Sequence, residues 1–112
     1  MNQINWADFE KIDIRTGTII KAEPFPEARK PAYKLSIDFG TEIGIKKSSA
    51  QITQHYSLAD LEGRQIIAVV NFPPKQIATF ISECLVLGVY DESGHVVLLQ
   101  PQQKLSNGLK IG

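Results

Sequence analysis

Hydrophobic and polar residues alternate most cleanly between Tyr33 and Phe39, where Tyr33, Leu35, Ile37 and Phe39 are separated by Lys34, Ser36 and Asp38. A period of two is the signature of a strand with one dry and one wet face, and Gly40 stops it. A looser alternation comes first. Ile12, Ile14, Thr16 and Thr18 alternate with Asp13, Arg15 and Gly17, and the strand runs on through Ile20 and Ala22. Gly17 inside it predicts a bend or bulge. A third strand is expected over Ile43–Lys47, with Ile43 and Ile45 on one side. Runs of strand formers then cover Arg64–Val70 and Leu85–Tyr90, and the turn DESG (Asp91–Gly94) pairs the latter with His95–Pro101 as a hairpin.

Helical signals are short. Asn5 is an N-cap with Asp8 in the first turn, and Ser57 and Asp60 have capping-box spacing before a stop at Gly63. Trp6 and Phe9 share one face of the first helix and need something to cover them. The tail from Gln102 on has weak pattern. The order is therefore three strands, a short helix, two strands and terminal additions. This order predicts an all-β OB-fold, a five-stranded Greek-key barrel with a short helix between strands 3 and 4, whose usual ligand surface is the face of strands 2 and 3 and the loops joining strands 1 to 2 and 4 to 5.

Those loops are EPFPEARKP (Glu23–Pro31) and NFPPKQIATFISE (Asn71–Glu83). The second opens on two prolines, which no central strand can use, yet it carries Phe72, Ile77, Phe80 and Ile81, too much apolar surface for a plain linker. It reads as a binding loop whose backbone is fixed before a partner arrives. The Phe72–Pro73 bond is a candidate for the cis form.

Composition narrows the function. A chain of 112 residues is one domain by size, here 1–112 with a core of about 9–101. Twelve basic residues balance 12 acidic ones, so no global field draws nucleic acid. From Lys11 to Lys47, however, eight basic residues face five acidic ones, and from Ser48 to Gln103 two face five. An anion site would draw on the first half. A single cysteine excludes an internal disulfide framework, and with no signal-like N-terminus or apolar span the expectation is a cytoplasmic protein without membrane insertion.

Catalytic chemistry finds little support. His55 and His95 are isolated, no spacing suits zinc, and no glycine-rich loop suits phosphate, so neither an active site, a metal nor a cofactor is expected. Cys84, at the start of an apolar strand beside Glu83, is expected to be a buried thiol of raised pKa. Binding is the better reading, in two forms. A polypeptide site would use Phe72, Ile77, Phe80 and Leu85 as apolar contacts, with Asn71, Lys75, Gln76 and Ser82 as polar ones. A nucleic-acid site would use Arg29, Lys30, Lys34, Lys46, Lys47, Lys75 and Ser82 against phosphates, with Phe25, Tyr56 and Phe72 as the exposed aromatics.

The segment FEKIDIRTGTIIKAEPFPEARKPAYKLSIDFG resembles the opening of the tRNA-binding domain family, which includes the C-terminal domain of some methionyl-tRNA synthetases and the EMAP-II-like proteins. Within that family IKKSSAQIT, GRQIIAVVNFPPKQI and ECLVLG are similar to the CsaA branch, small stand-alone members described as chaperones of bacterial protein export. The resemblance runs from about Phe9 to Pro101. It implies an OB-fold core, a homodimer built from extensions at 1–8 and 102–112, and binding of unfolded or export-destined polypeptides in contact with the translocation motor SecA. The RNA-binding branch implies tRNA as the alternative partner. There the segment after the fourth strand usually ends in serine, a variable residue, glycine and methionine, whereas this chain has Ser82, Glu83, Cys84 and Leu85. Cysteine lacks glycine's backbone freedom and Glu83 repels phosphate, which weakens the tRNA reading.

Overall fold

A computed structural model describes residues 1–112. In chain order the elements are α1 (Trp6–Glu10), β1 (Ile14–Pro24), β2 (Tyr33–Asp38), β3 (Ile45–Ala50), α2 (Leu58–Leu61), β4 (Gln65–Val69), β5 (Lys75–Ile77), β6 (Phe80–Ser82), β7 (Leu85–Val86), β8 (Gly88–Tyr90) and β9 (Val96–Leu98). The long β1 organises the rest. Its first half pairs antiparallel with β4, Ile14 opposite Val69 and Thr18 opposite Gln65, and its second half with β2, Thr18 opposite Asp38 and Pro24 opposite Tyr33. The sheet order is β3-β2-β1-β4-β7.

The seam between β3 and β7 is closed by a short run of residues before β7. The Glu83 amide donates to the Lys47 carbonyl at 2.7 Å and the Lys47 amide to the Glu83 carboxylate at 3.0 Å. The Ser48 hydroxyl donates to the Cys84 carbonyl at 3.0 Å, and the Ser49 amide to the Ser82 hydroxyl at 3.1 Å. The result is a nearly closed five-stranded antiparallel barrel, the OB-fold that the element order predicts. Ile19, Leu35, Ile37, Phe39, Leu61 and Ile66 fill it, each with at most 1% of its surface exposed.

Asn5 caps α1 as expected, in a full capping box with Asp8, and the expected capping box of Ser57 with Asp60 forms at α2. Other boundaries shift for identifiable reasons. The β1 bulge falls between Ile19 and Lys21, not at Gly17, and it switches the inward-facing parity from Gly17 and Ile19 before it to Ala22 after it. The expected third strand at Ile43–Lys47 begins only at Ile45. Gly40 and Gly44, both at positive φ, close a turn in which the Gly44 amide donates to the Gly40 carbonyl at 2.7 Å. Ile43 packs on the core while Ile45 is 60% exposed, so the two do not share a face. The buried positions of β3 are instead Ser48 and Ala50, too small and polar to stand out in a hydrophobic pattern. The expected strand Leu85–Tyr90 divides at Leu87, β7 pairing with β4 and β8 with β9. The second loop is not irregular throughout, since β5 and β6 form a small hairpin in it. All peptide bonds are trans, including Phe72–Pro73.

The tail of weak pattern is tied down. It lies along the edge of β1 that β2 leaves open, with the Gly108 amide donating to Thr16 O at 2.7 Å, the Thr16 amide to Leu109 O at 3.0 Å and the Ile111 amide to Ile14 O at 2.9 Å. The buried Thr16 hydroxyl donates to Ser106 O at 2.9 Å and accepts from the Leu109 amide at 3.0 Å. Thr16→Val keeps the shape and leaves both backbone groups without that partner. We expect a loss of about 2 kcal/mol, the scale for unpairing buried polar groups. Amide hydrogen exchange confined to Leu105–Ile111 should accelerate with it. Exchange unchanged in that segment would mean that backbone pairing alone holds the tail.

Candidate functional site

Two loops rise from the β2–β3 face, and between them lies the surface the fold offers to a ligand. Asn71 fixes the base of the second loop: its Oδ1 accepts from the Asp13 amide at 2.9 Å and its Nδ2 donates to Lys11 O at 2.8 Å. From there Phe72–Pro74 lead into the β5–β6 hairpin, whose turn contains Ala78 at φ 54°. Gln76 Nε2 donates to the Ala78 carbonyl at 3.1 Å and steadies that turn.

A groove of about 430 Å³ runs between this loop and the end of β3, lined by Phe72, Pro73, Lys75, Ile77, Ser82 and Leu85 with Ser49, Gln51, Glu83 and Cys84. Phe72 and Leu85 are 53% and 48% exposed, so each offers apolar surface that the fold does not use. Ser49, Gln51, Lys75 and Ile77 also line a wider cleft of about 920 Å³, whose other wall is the first loop with Glu27, Arg29 and Lys30. Groove and cleft share a floor. Apolar side chains lie at one end and cations at the other.

Of the residues expected to bind peptide, Phe72, Lys75, Ile77, Ser82 and Leu85 meet in the groove, and Gln76 lies in the adjoining cleft. Asn71 is committed to the N-terminal segment. Phe80 turns away and packs on Phe25, ring centroids 5.4 Å apart, with the Lys34 ammonium 5.5 Å and 6.0 Å from the two rings. Of the expected cations, Arg29, Lys30 and Lys75 share the cleft. Lys34 is held at the aromatic pair. Lys46 stands opposite Ile37 in register and Lys47 opposite Ser36, so these neighbours point to opposite faces of the sheet. Two of the aromatics expected to be exposed are not. Phe25 is 4% exposed, and Tyr56 accepts the Leu98 amide at 2.9 Å while the Arg64 guanidinium covers its ring. Nothing in the sequence pattern marks Ser49 or Gln51 as site residues, although alternation along β3 places Ser49 on the same face as Lys47.

Cys84 is buried at the back of the groove, and desolvation pushes its thiol up to about 12, with the nearby Glu83 charge adding to the shift. The unfolded thiol ionises near 9.0, so its contribution to stability is complete below that pH and is lost as pH rises toward the folded value. Between those limits each pH unit removes about 1.4 kcal/mol from this group. The wild type should therefore lose stability faster than Cys84→Ala in urea titrations above that lower pH. Equal slopes would show that Cys84 ionises freely in the folded protein. Ala78 is the one non-glycine residue at positive φ, so Cys84 takes ordinary backbone geometry and needs no glycine.

Residues 14–110 match the family described as "Putative tRNA binding domain". The chain belongs to the tRNA-binding domain family. A crystal structure of chaperone CsaA from Bacillus anthracis superposes with a TM-score of 0.93 at 58% identity, covering 99% of this chain and 100% of that one. A CsaA chaperone protein from Picrophilus torridus gives 0.92 at 56% identity, over 98% and 100%. Among curated relatives, the methionine–tRNA ligase of Methanocaldococcus jannaschii is 32% identical over 99% of this chain, which spans only 17% of the ligase. The resemblance to CsaA and to the synthetase domain expected from the sequence is thus observed across nearly the full length, and the chain corresponds to a small part of each such ligase.

Proposed function

We propose that the chain is a non-catalytic binding domain that holds unfolded or export-destined polypeptides as a cytoplasmic homodimer, in contact with the SecA translocation motor. The observation that carries this reading is the groove. Phe72, Ile77 and Leu85 offer apolar contacts beside Ser49, Gln51 and Ser82, which can satisfy a partner's backbone, and its open form tolerates varied side chains. The chaperone CsaA structures match the chain end to end, which supports the same reading. The dimer rests on apolar surface at the termini. Trp6 is 69% exposed and meets Phe9 at a tilt, ring centroids 5.7 Å apart, beside a cleft of about 260 Å³ that Ile12 and Ile111 also line. The expected cover for Trp6 and Phe9 is a second copy. Two grooves in one dimer would let one client engage both, adding weak contacts through effective concentration.

The test is aggregation of a chemically unfolded client on dilution, followed by light scattering. Suppression at near-stoichiometric dimer is expected. Unchanged aggregation at several-fold excess would overturn the holding function. A second reading, binding of structured RNA such as tRNA, is favoured by the family's description and by Arg29, Lys30 and Lys75 in one cleft. Against it stand Glu27 in the same cleft, Glu83 in the groove, and Phe72 as the one exposed ring of the three expected aromatics.

A further inference from the structure

Away from the groove, the fold joins two histidines that are far apart in sequence. His55 lies on the segment from β3 to α2, and Asp91 and His95 bracket the β8–β9 turn. One donor atom from each of His55, Asp91 and His95 lies within 4.8 Å of the other two. His55 Nε2 is 2.7 Å from Asp91 Oδ2, and the imidazole rings meet edge to face at 5.9 Å between centroids.

The surroundings preset these donors. Asp91 Oδ1 accepts the amides of Ser93 and His95, both at 2.9 Å, which leaves Oδ2 directed at His55. No lysine or arginine pairs with the carboxylate, whose side-chain partner is His55. The backbone carrying His55 is held by Tyr56, whose carbonyl accepts from the Tyr33 hydroxyl at 2.8 Å and whose own hydroxyl accepts from the Leu98 amide of β9. The side chains of His55 and Asp91 remain 41% and 23% exposed, so an ion can enter from solvent.

We propose that His55, Asp91 and His95 form a site for a borderline divalent transition metal such as zinc or nickel, bound through two imidazole nitrogens and Asp91 Oδ2 with water completing the shell. Two nitrogen donors and one carboxylate select this class over magnesium or calcium, which take oxygen ligands. Ligand atoms around tetrahedral zinc stand about 3.3 Å apart, as follows from bonds of about 2.0 Å. Rotation of the part-exposed imidazoles draws the widest pair in by the difference. The bound ion would tie the β3–α2 segment to the hairpin, parallel to the Tyr56–Leu98 hydrogen bond.

The test is a titration of zinc, and of cobalt(II) as an absorbing probe, into metal-free full-length protein at neutral pH. One equivalent per chain should bind at micromolar concentration, with visible cobalt bands and a raised thermal midpoint, and excess magnesium should not displace it. His55→Asn and His95→Asn should each weaken binding about tenfold or more, the scale seen when even outer partners of metal sites are removed. Cys84→Ser should leave binding unchanged. His55 is exposed, so its variant should fold normally by circular dichroism and keeps the test decisive should the His95 variant fail. Absence of saturable binding, or binding undiminished in His55→Asn, would overturn the proposal.

Discussion

Gly17→Ala should destabilise the protein by roughly 1–2 kcal/mol, and Gly17→Val by more. A Cβ at position 17 would sit 2.7 Å from Phe39 Cε1 and 2.8 Å from Ile37 Cγ2, closer than carbon atoms approach. Neither neighbour has room to move, since Phe39 and Ile37 are 1% and 0% exposed. Overpacking a core of this kind costs about 1–3 kcal/mol. The opposing gain from restricting the unfolded chain is about 0.4–1 kcal/mol, so the clash wins. A loss of that size is a large part of the roughly 5–15 kcal/mol that holds a domain together. The urea midpoint should fall at constant slope. Combining Gly17→Ala with Phe39→Leu should cost less than the sum of the two, because the second change makes room for the first. An unchanged midpoint in Gly17→Ala would mean that the Phe39 ring yields freely.

The second large effect falls on binding. Phe72→Ser together with Leu85→Ser should weaken an unfolded peptide about 30-fold and cost about 2 kcal/mol of stability, the worth of the half of each side chain that the fold already covers. Fully burying either side chain is worth about 1.5–3 kcal/mol. Both are already about half covered, so each has about 1 kcal/mol left to gain from a partner. Two such contacts give about 2 kcal/mol, which is the stated factor at about 1.4 kcal/mol per decade. Arg29→Glu with Lys30→Glu should do the reverse, abolishing RNA binding and sparing the peptide. If the serine pair binds peptide like the wild type, the groove is not the holding surface.

The parts of this account legible in the sequence are those with a local cause. Tyr33–Phe39 announces β2 by alternation, Asn5 and Ser57 announce helices by their caps, and DESG announces the hairpin by its turn chemistry. What escaped depends on long-range partners. Ser48 and Ala50 face inward because Cys84 and the barrel seam meet them there, and nothing in their own composition says so. Gly17 is required by Phe39, which lies just past the end of β2, and not by its own φ. In the site, the apolar loop was visible as a loop, but its members divide by packing. Phe80 leaves the groove for Phe25, Asn71 becomes an anchor, and Lys46 and Lys47 separate because a strand alternates. His55 and His95 meet only once the barrel has formed.

The most direct test of the holding function is a fluorescence-anisotropy titration of an unfolded export-type peptide and of bulk tRNA against the same protein, each at about 50 and about 200 mM salt. Three phosphate contacts, the number that Arg29, Lys30 and Lys75 could make, predict a fall in tRNA affinity of about 40-fold over that range. Apolar contacts at Phe72 and Leu85 predict little change for the peptide. Peptide binding that persists at the higher salt while tRNA binding fades is the expected result. Tight tRNA binding at the higher salt, with no measurable peptide binding, would contradict the account and make RNA the ligand of this surface.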